Sequence, residues 1–168
     1  RVMANKIDVK DKIVSIFGFN DQEWVTLAKA MREISPMAVE VNASCPNVNK
    51  PPFDPSLLDY LFRYRQNVIV KVSPVNYMPV VKMCYAAGVR VFHATNTLPT
   101  PRGGLSGKAL MPVALDAVRN IRAAYPDVHI VGGGGITGVE DAEKFLEAGA
   151  NRVALGTMLF TPWYWKRV

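Results

Sequence analysis

The run VEVNASCPNVNK, Val39 to Lys50, sets Cys45 between the amides of Asn42 and Asn47 at the end of an apolar segment. A thiol on such a loop can act as a base or nucleophile once its pKa approaches neutrality, and Pro46 fixes the backbone beside it. Taken alone, a cysteine is more often an inert, buried apolar residue. Lys71 is the one charge inside NVIVKVSP. An unpaired ammonium in a buried strand is costly, so Lys71 must meet an anion in a polar cavity or pair with a carboxylate such as Glu40 on the neighbouring strand. Two glycine-rich turns, VGGGGI and LGT, close the last two apolar runs. Glycine there lets backbone N–H groups approach a phosphate with the next helix N-terminus behind them, or simply relieves crowding in tight turns. A third turn, GGLSG at 103–107, precedes a helix expected to start near Lys108 and could add its own donors. Cys84, on a helix face in KMCYAAG, reads as inert, and His93 and His129 fall within strands, as packing or surface residues. No Ser-His-Asp or metal constellation can be built from them.

The elements that must position these residues are legible as six apolar runs: 12–19, 37–43, 67–74, 89–96, 128–135 and 152–157. They are rich in valine and isoleucine and nearly unbroken, as strands buried on both faces of a parallel sheet are. Helical patterns lie between them. In DQEWVTLAKAMREI, Trp24, Leu27, Ala28, Met31 and Ile34 share a face, with Asp21 as the expected N-cap. Leu110, Val113, Val118 and Ile121 do the same in ALMPVALDAVRNIRAAY, and Val139, Ala142, Phe145 and Leu146 in GVEDAEKFLEAGA. Alternating strands and helices with short connections predict right-handed crossovers and a parallel sheet. Nearly every strand ends in polar or glycine-rich residues, which favours a (β/α)8 TIM barrel over an open doubly wound sheet, because a barrel draws its chemistry from many strand ends. Six strands rather than eight predict an incomplete barrel lacking its first two βα units, with residues 1–168 as one α/β domain.

The 168 residues, 49% apolar, suit a single globular core. No apolar stretch long enough to cross a membrane and no secretory h-region occurs, so the cytoplasm is the expected location. Two cysteines far apart in sequence make no disulfide framework. The net charge of +6 comes from scattered lysines and arginines, which suits anionic small molecules better than nucleic acid.

NASCPN, IVKVSP, ATNT, GGLSG, VGGGGI and LGT, in this order on successive strands, together resemble the dihydroorotate dehydrogenases, with the likeness running from about Ile13 to Phe160. The resemblance implies an FMN-binding TIM barrel of pyrimidine biosynthesis that oxidises dihydroorotate to orotate, a base removing a proton from C5 while hydride passes from C6 to the flavin. It makes Cys45 the base, as in class 1 enzymes, and Asn42, Asn47, Asn96 and Thr97 the substrate-binding residues, since amides offer donor and acceptor to a planar imide. It assigns FMN contacts to Asn42, Lys71, Thr95, Gly107, Gly134, Gly135, Gly156 and Thr157, with Ser15 as a further candidate, and makes the flavin rather than Glu40 the partner of Lys71. It also implies a homodimer, a possible electron-transfer partner subunit, and a chain that is the C-terminal part of a longer enzyme and inactive by itself. The connection from Thr97 to Gly103 is shorter than in the family's cysteine-bearing members, which leaves the subgroup and its oxidant open. The alternatives are uracil or thymine reduction of the dihydropyrimidine dehydrogenase type, in which histidine stands where this chain has Asn47, a phosphate-binding barrel lyase or isomerase without flavin, and a non-catalytic barrel fragment.

Overall fold

The computed structural model describes residues 8–43, 53–64 and 66–160. Strands β1 (Ile13–Ile16), β2 (Ala38–Asn42), β3 (Val68–Val72), β4 (Val91–Ala94), β7 (His129–Gly133) and β8 (Arg152–Ala154) form one sheet, parallel throughout, in the order β1-β2-β3-β4-β7-β8. These are the six apolar runs, in chain order, and the sheet curls into part of a barrel. Helices α1 (Asp21–Ile34), α2 (Ser56–Arg63), α3 (Met78–Ala86), α4 (Met111–Ala124) and α5 (Val139–Glu147) supply the crossovers. Between β4 and α4 the chain makes a small antiparallel hairpin of β5 (Leu98–Thr100) and β6 (Gly103–Leu105), where the sequence shows a short connection followed by a glycine-rich turn.

Register sorts the side chains into two faces. Val41, Val70, Phe92 and Ile130 lie in one row across β2, β3, β4 and β7, and all four have no solvent exposure. This face packs against the helices through Leu58, Leu61, Val81, Ala117, Ile121 and Phe145. The alternate positions, Glu40, Asn42, Lys71 and His93, therefore fall on the opposite face, inside the curl, because successive side chains of a strand point to opposite sides.

Two sequence expectations need correction. The N-cap of α1 is Asn20, not Asp21: the Asn20 side chain accepts from the Glu23 amide at 2.9 Å, and Glu23 reaches back to the Phe19 amide at 2.8 Å. This resembles a capping box shifted by one residue: it satisfies the Glu23 amide of the first turn and the Phe19 amide just before the N-cap, and leaves Asp21 to favour the positive helix end. On α5 the buried residues are Asp141 and Phe145, whereas Val139 and Leu146 are half exposed. The apolar pattern misplaces that face because an inward position is taken by a carboxylate with its own partners.

Phe92 sits at the centre of the helix-facing row with no solvent exposure. Phe92→Ala should cost about 3–5 kcal/mol of stability, read as a lower denaturation midpoint with an unchanged m-value.

Candidate functional site

The C-terminal ends of the strands open onto one cleft. Lys71 and His93 line it from β3 and β4, Thr95, Asn96 and Thr97 continue it beyond β4, and Ser106 and Gly107 follow from the hairpin. Gly133 to Ile136 border it after β7, and Gly156 and Thr157 after β8. Its volume is about 220 Å³, below the roughly 300–1,000 Å³ of a complete ligand pocket, so the described residues supply part of a site. Of the residues expected there, Lys71, Thr95, Asn96, Thr97, Gly107, Gly134, Gly135, Gly156 and Thr157 come together. Asn42 joins them through its side-chain oxygen, which accepts from Asn96 Nδ2 at 3.2 Å. Cys45 and Asn47 lie outside the described residues.

The end of β4 is held by its neighbours on both sides. The Asn96 amide donates to the Val72 carbonyl at 3.0 Å and the Thr95 amide to Gly133 at 3.2 Å, while Asn96 Oδ1 accepts from the Thr97 amide at 2.9 Å. Thr95 is buried. The Asn96 carboxamide is thus oriented by one backbone donor and one side-chain acceptor, both at the cleft edge.

Beneath it lies a polar cluster that sequence reading only half found. Glu40 is 9% exposed, and its two oxygens are taken separately: Oε1 accepts from Ser15 Oγ at 2.8 Å and Oε2 meets His93 Nδ1 at 2.7 Å. An ionised carboxylate only accepts, so Nδ1 carries the proton of that bond. Lys71 Nζ stands 3.9 Å from Glu40 Oε1, so the ion pair weighed from sequence is present, but long. Burial pushes the Glu40 carboxyl up, and the His93 hydrogen bond and charge outweigh it with help from Lys71 and Ser15, holding it below the usual carboxylate value. His93, expected to be a packing or surface residue, lines the cleft instead. Its signal was parity: it stands level with Lys71 in register and so shares its face. Ser15 spends its hydroxyl on Glu40.

The glycine loops are tied to each other. Gly134 and Gly135 have φ of 130° and 81°, a region that L side chains avoid, and a Cβ on Gly135 would come within 2.6 Å of the Gly107 carbonyl oxygen. These two are dictated by backbone conformation and close approach. Gly156 is different, since a Cβ there would meet nothing within 4 Å. Across the two loops, Asp141 accepts from Lys108 Nζ at 2.7 and 2.6 Å, from the Thr137 amide at 3.0 Å and hydroxyl at 2.8 Å, and from Lys144 at 3.3 Å. Asp141, in the first turn of α5, thus gathers donors from the preceding loop and from Lys108 and Lys144, and caps none of the helix's own first-turn amides. Loop backbone, rather than this helix end, borders the cleft.

Among the described residues no His, Cys, Asp and Glu group could hold a metal, and no helix is long and apolar enough to cross a membrane. Cys84 is fully buried, and burial pushes its thiol up to about 12, which keeps it protonated and unreactive at neutral pH.

A curled parallel sheet with a polar cleft at its C-terminal strand ends defines the chain as part of an α/β barrel of the enzyme type. Residues 65–168 match the family model for dihydroorotate dehydrogenase, and the chain belongs to that family. It is 34% identical over 174 residues to a protein of Thermodesulfovibrio yellowstonii described as dihydroorotate dehydrogenase B (NAD(+)), catalytic subunit, covering 88% of this chain and 57% of that one. A putative dihydroorotate dehydrogenase A (fumarate) of Aquifex aeolicus is 31% identical over 175 residues, again covering 88% of this chain and 57% of the relative. The chain thus spans 57% of the length of these curated relatives. The crystal structure of a ligand-free DHODH from Eimeria tenella superposes with a TM-score of 0.73 at 18% identity, over 90% of this chain and 55% of that one, which shows the shared barrel fold.

Asp141 is 4% exposed. Burial would raise its pKa, but hydrogen bonds from Lys108, Thr137 and Lys144 hold it well below the usual carboxylate range. A depressed pKa contributes stability that is present above the unfolded value of about 4 and is lost as pH falls below it. Lys108 is 61% exposed on its side chain, so its charge is screened and the Thr137 bonds carry much of the effect. Asp141→Asn should cost roughly 1–3 kcal/mol near pH 7. In urea titrations from about pH 7 to about pH 3 the variant should lose less stability on acidification than the wild type.

Proposed function

We propose that this chain carries the flavin and substrate half of a dihydroorotate dehydrogenase, which oxidises dihydroorotate to orotate with FMN, and that residues 1–168 form one domain of its barrel. The observation that carries this reading is the convergence of Lys71, Asn42, Asn96 and both glycine loops on a single cleft. FMN fits the donors present. Its phosphate calls for backbone N–H groups without side chains in the way, and Gly156 borders the cleft with no packing reason of its own to be glycine. Thr157, Gly134, Gly135 and Gly107 would complete that end, with Thr95 beside the ring.

Bound FMN supplies the two-electron acceptor for the hydride leaving C6 of the substrate. The residues of this chain do the rest. Cys45 takes the C5 proton as thiolate, so that one proton and one hydride leave and the C5–C6 double bond forms. Asn42, Asn47, Asn96 and Thr97 present donors and acceptors to the pyrimidine edges, and the Asn96 orientation described above sets one pair of them in advance. Lys71 places a positive charge at the cleft floor, where negative charge would develop on the reduced ring. The relatives' description as catalytic subunits supports a second, electron-transferring subunit, and we include a homodimer in the same proposal.

Titration of the full-length enzyme that contains this chain with FMN should give one bound flavin per subunit, seen as quenching of its fluorescence. A folded protein that binds none would sink the flavoenzyme reading. With flavin bound, Cys45→Ser should slow flavin reduction by dihydroorotate by about 100-fold or more at neutral pH, because serine is a far poorer base there. Reduction by dihydrouracil in place of dihydroorotate would favour the uracil-type reaction instead.

A further inference from the structure

The ion pair between Lys71 and Glu40 is unusual in being unclosed. Both side chains are mostly buried, 23% and 11% exposed, yet Nζ and Oε1 stand 3.9 Å apart, where a charge-assisted bond would settle at about 2.8 Å. In so shielded a place the attraction should draw them together, because it grows as distance and local dielectric fall. What opposes it is visible in the geometry. Ser15 on β1 holds Oε1 at 2.8 Å, and His93, reaching from β4 to β2, holds Oε2 at 2.7 Å. In register, Ser15 is level with Glu40, and His93 is level with Lys71. The carboxylate is therefore anchored from both sides while the ammonium stands between β2 and β4 at the cleft.

We propose that His93 and Ser15 are positioning residues: by anchoring the Glu40 carboxylate from both sides they hold it away from Lys71, and so leave the ammonium available to an anionic group in the cleft. The proposal rests on the flavin reading for the identity of that group, but not for the restraint on Glu40. It assigns His93 a role that acts through Lys71, and it makes Glu40 the counter-charge that tempers the cation without neutralising it at contact.

The test uses His93→Ala, His93→Gln and Glu40→Gln, each examined crystallographically without flavin and by FMN affinity and flavin midpoint potential. In His93→Ala the Lys71–Glu40 separation should shrink from 3.9 Å to about 2.8 Å. FMN should then bind roughly tenfold more weakly and its potential should fall, because the reduced, anionic ring loses part of its cation. His93→Gln, whose amide can still donate to Oε2, should restore both. Glu40→Gln should move affinity and potential the other way, and reports even if His93→Ala does not fold. A separation unchanged in His93→Ala overturns the proposal, as does closure of the pair with wild-type affinity and potential. If the wild-type protein binds no FMN, the flavin reading fails, and the measured separation alone decides for or against the restraint on Glu40.

Discussion

The structure depends on the in-register parallel pairing of β2, β3 and β4. Helices cover one face of these strands completely, so every polar side chain the strands carry must go to the other. Register then lines them up: Asn42 is level with Lys71, and Lys71 with His93. A slip of one residue would turn Lys71 and Glu40 into the helix-packed core and Val41 and Val70 into the cleft. The chemistry of the cleft and the stability of the core are thus one constraint, because the side chains that fill one face decide which remain for the other.

Polar groups brought together in this way must satisfy one another, since water reaches them poorly. The cluster around Glu40 does so with one carboxylate, one imidazole, one hydroxyl and one ammonium drawn from four adjacent strands. It is a local solution to the burial of charge in which opposite signs and matched donors replace solvent. A cavity floor of this kind is electrostatically defined before any ligand arrives.

The period and composition of the apolar runs were sufficient for the six strands, the parallel class and the faces of α1 and α4, because these depend on burial, which leaves a direct mark on sequence. Residues whose role depends on who stands opposite were harder. His93 looked like a strand residue and no more, because its partner Glu40 lies 53 positions away and only register brings them together. Asp141 was hidden for a similar reason: a carboxylate near the start of a helix reads as an exposed N-terminal charge, and its burial follows from Lys108 and Thr137 arriving from the two loops. The N-cap at Asn20, by contrast, has a signal in the spacing, a glutamate three residues on, although Asp21 beside it is an equally good cap by residue type. Five of the six motifs fall within residues 65–168, the span that matches the family model, while NASCPN precedes it and its Cys45 lies outside the described residues.

The tie between the loops after β6 and β7 has a consequence for binding entropy. Glycine-rich loops ordinarily sample many conformations, and a ligand that freezes them gives up part of its affinity in doing so. Here the close approach of Gly135 to the Gly107 carbonyl, where no Cβ would fit, and the four donor groups converging on Asp141 tie the two loops together. Such ordering belongs to folding rather than to binding, so the loop backbone that borders the cleft takes its shape from the protein's own contacts.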